Sequence, residues 1–203
     1  MEKDWTGNSK TTYSILGASN HSEKDREEND YYATSPRAVE MLLEKEQFSD
    51  KIWECAAGGE HISKVLVKAG KTVWNTDIID RTGNIEVLDF LSSNVKWNGD
   101  IITNPPYKYA QEFVEKAMES ITEGHKVAMY LKLTFLETAK RRELFRKYPP
   151  KYVYVSSKRL GCAPNGQFSD MENETEAGAV CYAWFVWEKG FSGEPTIRWF
   201  NDK

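Results

Sequence analysis

The sequence predicts an α/β chain, a mostly parallel sheet with helices on both faces. Two observations carry that prediction. Short β-branched runs alternate with runs of helical periodicity and are joined by short turns. In addition, the apolar run Ile101-Ile102-Thr103 stops at Asn104-Pro105-Pro106-Tyr107. Consecutive prolines cannot donate ladder hydrogen bonds, and Pro105 drives Asn104 out of the helical region. A polar amide held at the carboxyl end of a buried strand stands where open α/β sheets place ligands.

The 203 residues, 40% apolar and 29% charged, are enough to enclose one core. The expected division is a polar arm over residues 1–29 and a single domain over 30–203, with a long polar loop at 156–178. No apolar run reaches the roughly 18 residues of a membrane span. The start, Met1-Glu2-Lys3-Asp4-Trp5, is too polar for a secretory signal. Cys55, Cys162 and Cys181 form no Cys-x-x-Cys pair, which argues against zinc and fits a reducing cytosol. The net charge of −4 does not mark a nucleic-acid binder, but the charge is unevenly spread. Residues 132–159 hold nine bases against two acids, a net +7, whereas 169–176 hold four acids and no base. Such asymmetry marks either a phosphate-facing side or a solvated helix face.

In chain order, Ser35 is placed as an N-cap and Pro36 as the first residue of a helix with the stripe Val39, Leu42 and Leu43. Lys51 to Cys55 reads as the first strand, Ala56 to Glu60 as a small-residue turn, and Ile62, Val65, Leu66 and Ala69 as a helix face closed by Gly70. Strands follow at 72–77 and 85–90, then the Asn104 strand and a helix over 109–121. A strand at 126–131, a helix over 136–147 stopped by Pro149-Pro150, and a strand at 152–155 come next. The aromatic strand 178–187 is the seventh; with no helix before it, it is expected to pair antiparallel. Pro195 to Phe200 is a further edge candidate.

A strand, a small-residue turn and a helix form the ordinary seat of a nucleotide-like ligand, since glycine lets the backbone approach and the helix start offers donors. The turn here, Ala57-Gly58-Gly59-Glu60, lacks the G-x-G-x-x-G pattern. Glu60 disfavours a pyrophosphate and tolerates a cationic ligand. Asp77 ends the second strand, where an acid can accept both ribose hydroxyls. Asp89 ends the third and is a candidate for an adenine amino group.

Asn104-Pro105-Pro106-Tyr107 matches in full the catalytic motif Asp/Asn/Ser-Pro-Pro-Tyr/Phe of the S-adenosylmethionine-dependent amino-methyltransferases. Trp53-Glu54-Cys55-Ala56-Ala57-Gly58-Gly59-Glu60-His61 resembles that family's cofactor loop, except that the family carries a second glycine where Glu60 stands. Tyr32-Ala33-Thr34-Ser35-Pro36 resembles its upstream segment, and Asp89-Phe90-Leu91 its adenine-contacting segment. The chain is similar to small N6-adenine DNA methyltransferases of the phage and prophage kind, over residues 30 to about 190.

The resemblance implies a Rossmann-like class I methyltransferase with a seven-stranded sheet and an antiparallel last strand. It implies S-adenosylmethionine as cofactor, held by Tyr32, Thr34, Glu54, Ala56, Gly58, Asp77, Ile78, Asp89, Phe90 and Asn104. It implies catalysis at Asn104, Pro105, Pro106 and Tyr107, with no metal, in a bacterial host cytoplasm. DNA is the expected partner, met by Lys132, Lys158 and Arg159, with the 156–178 loop the one place for a recognition insertion. RNA adenine and a protein glutamine are alternative acceptors for the same motif, and a non-catalytic binding module is the alternative of another class. Of the remaining residues, Cys55 is expected to be a buried filler and His21, His61 and His125 surface residues. Phe168, Tyr182, Trp184, Phe185 and Trp187 could suggest base stacking, but in a strand of alternating pattern most of them are expected to be core.

Overall fold

The computed structural model describes residues 32–156, 160, 162–164 and 180–200. The expected arm over 1–29, His21, Lys158, Arg159, Phe168 and most of the 156–178 loop lie outside the described residues.

Ten strands and four helices alternate in the described chain: β1 (Tyr32–Thr34), α1 (Pro36–Lys45), β2 (Lys51–Glu54), α2 (His61–Lys68), β3 (Thr72–Asp77), β4 (Glu86–Val87), β5 (Asp100–Thr103), α3 (Ala110–Ser120), β6 (Lys126–Lys132), α4 (Ala139–Lys147), β7 (Tyr152–Ser156), β8 (Cys162–Pro164), β9 (Tyr182–Glu188) and β10 (Thr196–Phe200). Eight of the strands form one sheet, in the order β10-β7-β9-β6-β5-β2-β3-β4. All neighbours are parallel except β9, which runs antiparallel to both β6 and β7. The expected count of seven is therefore one short, because β10 pairs with β7 along five residues. A separate ribbon pairs β1 with β8, Tyr32 opposite Pro164. Each of these two strands is three residues long and pairs only with a distant segment, so neither leaves a local period in the sequence.

Two cores sandwich the sheet. On β9, Ala183, Phe185 and Trp187 face one core and Trp184 and Val186 the other; on β6, Val127, Met129 and Leu131 alternate with Ala128 and Tyr130. The helices α3 and α4 cover the first face, and α1 and α2 the second. Each fully buried tryptophan finds an acceptor for its indole N–H: Trp53 on Thr76 Oγ1 (2.9 Å), Trp184 on the Ala38 carbonyl (2.8 Å) and Trp187 on the Tyr148 carbonyl (3.0 Å). Cys55 is a buried free thiol, as a small filler would be.

Asp100 joins the starts of β5 and β6 at the end of the sheet away from Asn104. Its carboxylate accepts the Ser49 N–H (2.6 Å) and the Lys126 N–H (2.8 Å), and lies 3.1 Å from His125 Nδ1. His125, expected at the surface, is half-buried, its ring contacting Asp100 and Asn98. Two further boundaries differ from expectation. The helix expected from Leu136 begins at Ala139, because Leu133–Leu136 forms a 3-10 turn and Thr138 takes φ 92°, outside any helix. The strand expected at 85–90 keeps only Glu86 and Val87, an exposed edge pair on β3. Among the described residues, no helix is long and apolar enough to cross a membrane.

Candidate active site

Strand β2 pairs with β3 on one side and β5 on the other, and the chain leaves β2 toward β3. The loops after β2 and β5 therefore diverge at a topological switch point, where such sheets bind ligands. Both sequence motifs stand in these loops.

The loop after β2 is built around two left-handed residues. Gly58 has φ 54° and Glu60 φ 61°. The second is the conformation a glycine adopts without strain. Position 60 thus keeps the backbone of a glycine while carrying a glutamate. The Glu60 carboxylate accepts from Asn75 Nδ2 at 3.1 Å. Behind it, the Ser63 hydroxyl sits between the Glu54 carboxyl and the Asn75 side-chain carbonyl. A hydroxyl has one proton to give, and the Asn75 amide group is turned to Glu60. The chain of donors closes when Glu54 is protonated and donates to Ser63, which donates to Asn75. Burial acts in the same sense and pushes the Glu54 carboxyl from an ordinary 4.5 to about 8. Glu60 and Asp77 add to the shift, and the Ser63 hydrogen bonds oppose it. Beside this network His61 opens α2, half-buried, its basicity lowered first by burial and then by Lys64.

Asp77 is buried and braces the loops rather than standing open. It accepts from the Gly58 N–H (2.9 Å), the Ile79 N–H (3.1 Å) and Arg81 (3.3 Å). Ile78 and Asp89 are exposed beside it, and Asp89 Oδ1 caps the Leu91 N–H at 3.0 Å. Phe90, expected among the cofactor-binding residues, is only 1% exposed and packs edge-on to Trp53 and against Phe113. Glu54 is also 1% exposed and is hydrogen-bonded to Ser63. Ala56 is half-buried on the rim.

The loop after β5 carries Asn104, Pro105, Pro106 and Tyr107. Asn104 Nδ2 donates to the Tyr32 carbonyl at 2.7 Å. Only the NH₂ end of a carboxamide can make that bond, so the side-chain oxygen is assigned to the other end. The prolines deliver the chain into a 3-10 turn, Tyr107–Tyr109, which runs on into α3. The Tyr107 ring stacks on Tyr32 (5.7 Å between centroids), packs against Tyr182 (5.8 Å), and lies 4.7 Å from Lys132 Nζ. Tyr182, for which the sequence reading preferred the core to a stacking role, packs at this cluster. It is half-buried as the first residue of β9 and stands directly opposite Lys132 on β6. The Thr34 hydroxyl oxygen, next to this cluster on β1, is buried with no hydrogen-bond partner among the described residues.

No protein-family model matches the sequence, and no curated protein does. Similar solved structures exist. One, described as a candidate class I S-adenosylmethionine-dependent methyltransferase from Listeria monocytogenes, superposes with TM-score 0.56 at 12% identity, covering 94% of this chain and 71% of its own. Another, described as a candidate RNA methyltransferase from Pyrococcus horikoshii, gives TM-score 0.55 at 14% identity over 90% and 99%. A third is the tRNA (m1A58) methyltransferase TrmI from Aquifex aeolicus, with TM-score 0.50 at 16% identity over 81% and 73%. The fold is that of the class I methyltransferases.

Proposed function

We propose that the chain transfers a methyl group from S-adenosylmethionine to the exocyclic N6 of adenine in DNA. The observation that carries this reading is the Asn-Pro-Pro-Tyr turn at the carboxyl end of β5, with the Asn104 amide oriented by Tyr32.

The residues around the β2 loop fit the cofactor. Left-handed Gly58 lets a ligand approach the backbone, and the buried Thr34 hydroxyl is an orphan polar group within the Tyr32–Pro36 segment. Glu60 and Asp77 supply negative charge to a ligand with net positive charge, and Asp89 and Ile78 line the exposed rim for its adenosine part. When bound, the cofactor supplies a methyl group already activated on a sulfonium.

The work of the chain is to hold the acceptor. An exocyclic amine is a poor nucleophile because its lone pair is conjugated with the ring. The Asn104 side-chain oxygen and the Pro105 carbonyl accept its two N–H bonds, which concentrates the lone pair on nitrogen. Pro106 stiffens the turn, and Tyr107 stacks on the ring to fix its plane. An adenine in a duplex must first be flipped out of the stack. Lys132, beside Tyr107, is placed to meet the backbone of the acceptor strand, as Lys158 and Arg159 are expected to do.

RNA adenine is the second reading, favoured by the two structural neighbours whose own descriptions name RNA. The test is transfer of tritiated methyl to DNA, RNA and protein fractions. Label in DNA that disappears with Asn104→Ala supports the reading. Label in protein alone, or full transfer by Asn104→Ala, overturns it.

A further inference from the structure

A pocket opens beside Tyr107. Tyr107, Leu131 and Phe135 form its apolar wall, and Lys132 and Arg141 are its cations. Arg141 lies in the first turn of α4 and is held in place. Its Nη1 donates to the Thr134 carbonyl (3.0 Å) and the Glu137 carbonyl (3.4 Å), and its guanidinium lies 4.4 Å from the Phe135 ring centroid. Those bonds use two of the five N–H donors of the group. The Lys132 ammonium rests on the Tyr107 ring on a flexible stem. Among the described residues neither cation is in an ion pair. The exposed Glu137 opposes Arg141 in charge, which leaves the set net positive.

We infer that Lys132 and Arg141 form a phosphate pocket that seats a phosphodiester of the acceptor strand while its base stacks on Tyr107. This rests on the reading of Tyr107 as the acceptor's stacking platform. A stacked nucleotide carries its phosphates one sugar away from the ring, next to this pocket. A glutamine side chain carries no anion there. Arg141 supplies a planar, preorganised donor set, and Lys132 a mobile point charge that leaves the Tyr107 ring as the base arrives. The pocket thereby selects a polynucleotide over a peptide at an amide-accepting motif that would serve either.

The experiment uses the full chain and a single-stranded oligodeoxynucleotide with one adenine, alongside the same oligonucleotide with neutral methylphosphonate linkages flanking that adenine. Lys132→Gln and Arg141→Gln are each expected to raise the KM for the charged oligonucleotide about tenfold, a loss of ~1.4 kcal/mol. The loss falls in KM rather than kcat, cofactor affinity is kept, and Arg141→Lys recovers part of it. The neutral linkages raise the wild-type KM similarly and add little in the variants, since the same interaction is already gone. Equal KM values for wild type and variants, or equal losses on both oligonucleotides, overturn the pocket while leaving Asn104-dependent transfer intact. Wild-type transfer to protein and to no polynucleotide overturns the parent reading and the pocket with it.

Discussion

Asn104 Nδ2 and the Tyr32 carbonyl, 72 residues apart in the chain, are joined by a hydrogen bond of 2.7 Å. One side chain thereby does two jobs: its nitrogen anchors β1 to the turn, and its oxygen end is set by elimination. Two variants separate the jobs. Asn104→Ala removes both and is expected to lower kcat about 10²–10³-fold, the loss of one oriented partner of the reacting group. Asn104→Asp keeps an acceptor oxygen and cannot donate to Tyr32. It is expected to retain more of kcat than the alanine variant, while the Tyr32–Thr34 amides exchange faster in both. Amide exchange read beside single-turnover rates checks the pair.

Tyr107 is expected to act through its ring. Tyr107→Phe should stay close to wild type, and Tyr107→Ala should lose about 10-fold to 100-fold in kcat/KM, the value of one base–aromatic stack. A loss in the phenylalanine variant as large as in alanine would instead assign the work to the hydroxyl.

Glu54 makes stability depend on pH. Folded, it keeps its proton up to about 8, whereas an ordinary carboxyl releases it near 4.5. Between those values the folded chain holds the extra proton, so stability falls as pH rises through the window. The full penalty, ~3–5 kcal/mol as an order of magnitude, is present only above it. Glu54→Gln keeps a donor toward Ser63 and removes the ionisation. Its urea midpoint is expected to match wild type at about pH 5 and to exceed it at about pH 9.

Glu60 tests the glycine-like backbone of the cofactor loop. At φ 61° a residue with a side chain is strained, by roughly 1–2 kcal/mol. Glu60→Gly relieves that strain and loses the Asn75 hydrogen bond; Glu60→Ala loses the bond and keeps the strain. Glycine is therefore expected to be more stable than alanine at position 60 by about 1 kcal/mol, the reverse of their order inside a helix. Thermal denaturation of the two variants decides it.

Asp100 is expected to matter for stability alone. Asp100→Ala leaves the Ser49 and Lys126 N–H groups without their acceptor and should cost about 2–3 kcal/mol. The folded fraction should keep the wild-type kcat. A large loss of kcat with the melting temperature unchanged would contradict this.

The parts of this molecule legible in the sequence are those whose cause is local. Pro105 and Pro106 must end β5 wherever it lies, so Asn104 and Tyr107 could be placed from the residues alone. The alternation on β9 marked its aromatic rings as core, but not how far along the strand each one sits. Tyr182 shares that alternation and still emerges beside Tyr107, because it is the first residue of β9. Glu60 showed in the sequence only as a departure from a glycine pattern. That it keeps the glycine's φ is a fact about the backbone, which no side-chain pattern reports. The β1–β8 ribbon, the part-buried bond of His125 to Asp100 and the pairing of Lys132 with Arg141 across a pocket all join distant segments, and they became visible only with the fold.

The most direct measurement is the identity of the methylated nucleoside. Genomic and oligonucleotide DNA are incubated with the chain and methyl-labelled S-adenosylmethionine, digested to nucleosides and separated. The label is expected in N6-methyldeoxyadenosine, and to be absent when Asn104→Ala replaces the wild type. Label confined to another nucleoside or to protein, or N6-methyldeoxyadenosine formed equally by the Asn104→Ala chain, would contradict the assignment of the Asn-Pro-Pro-Tyr turn as an adenine-amine site.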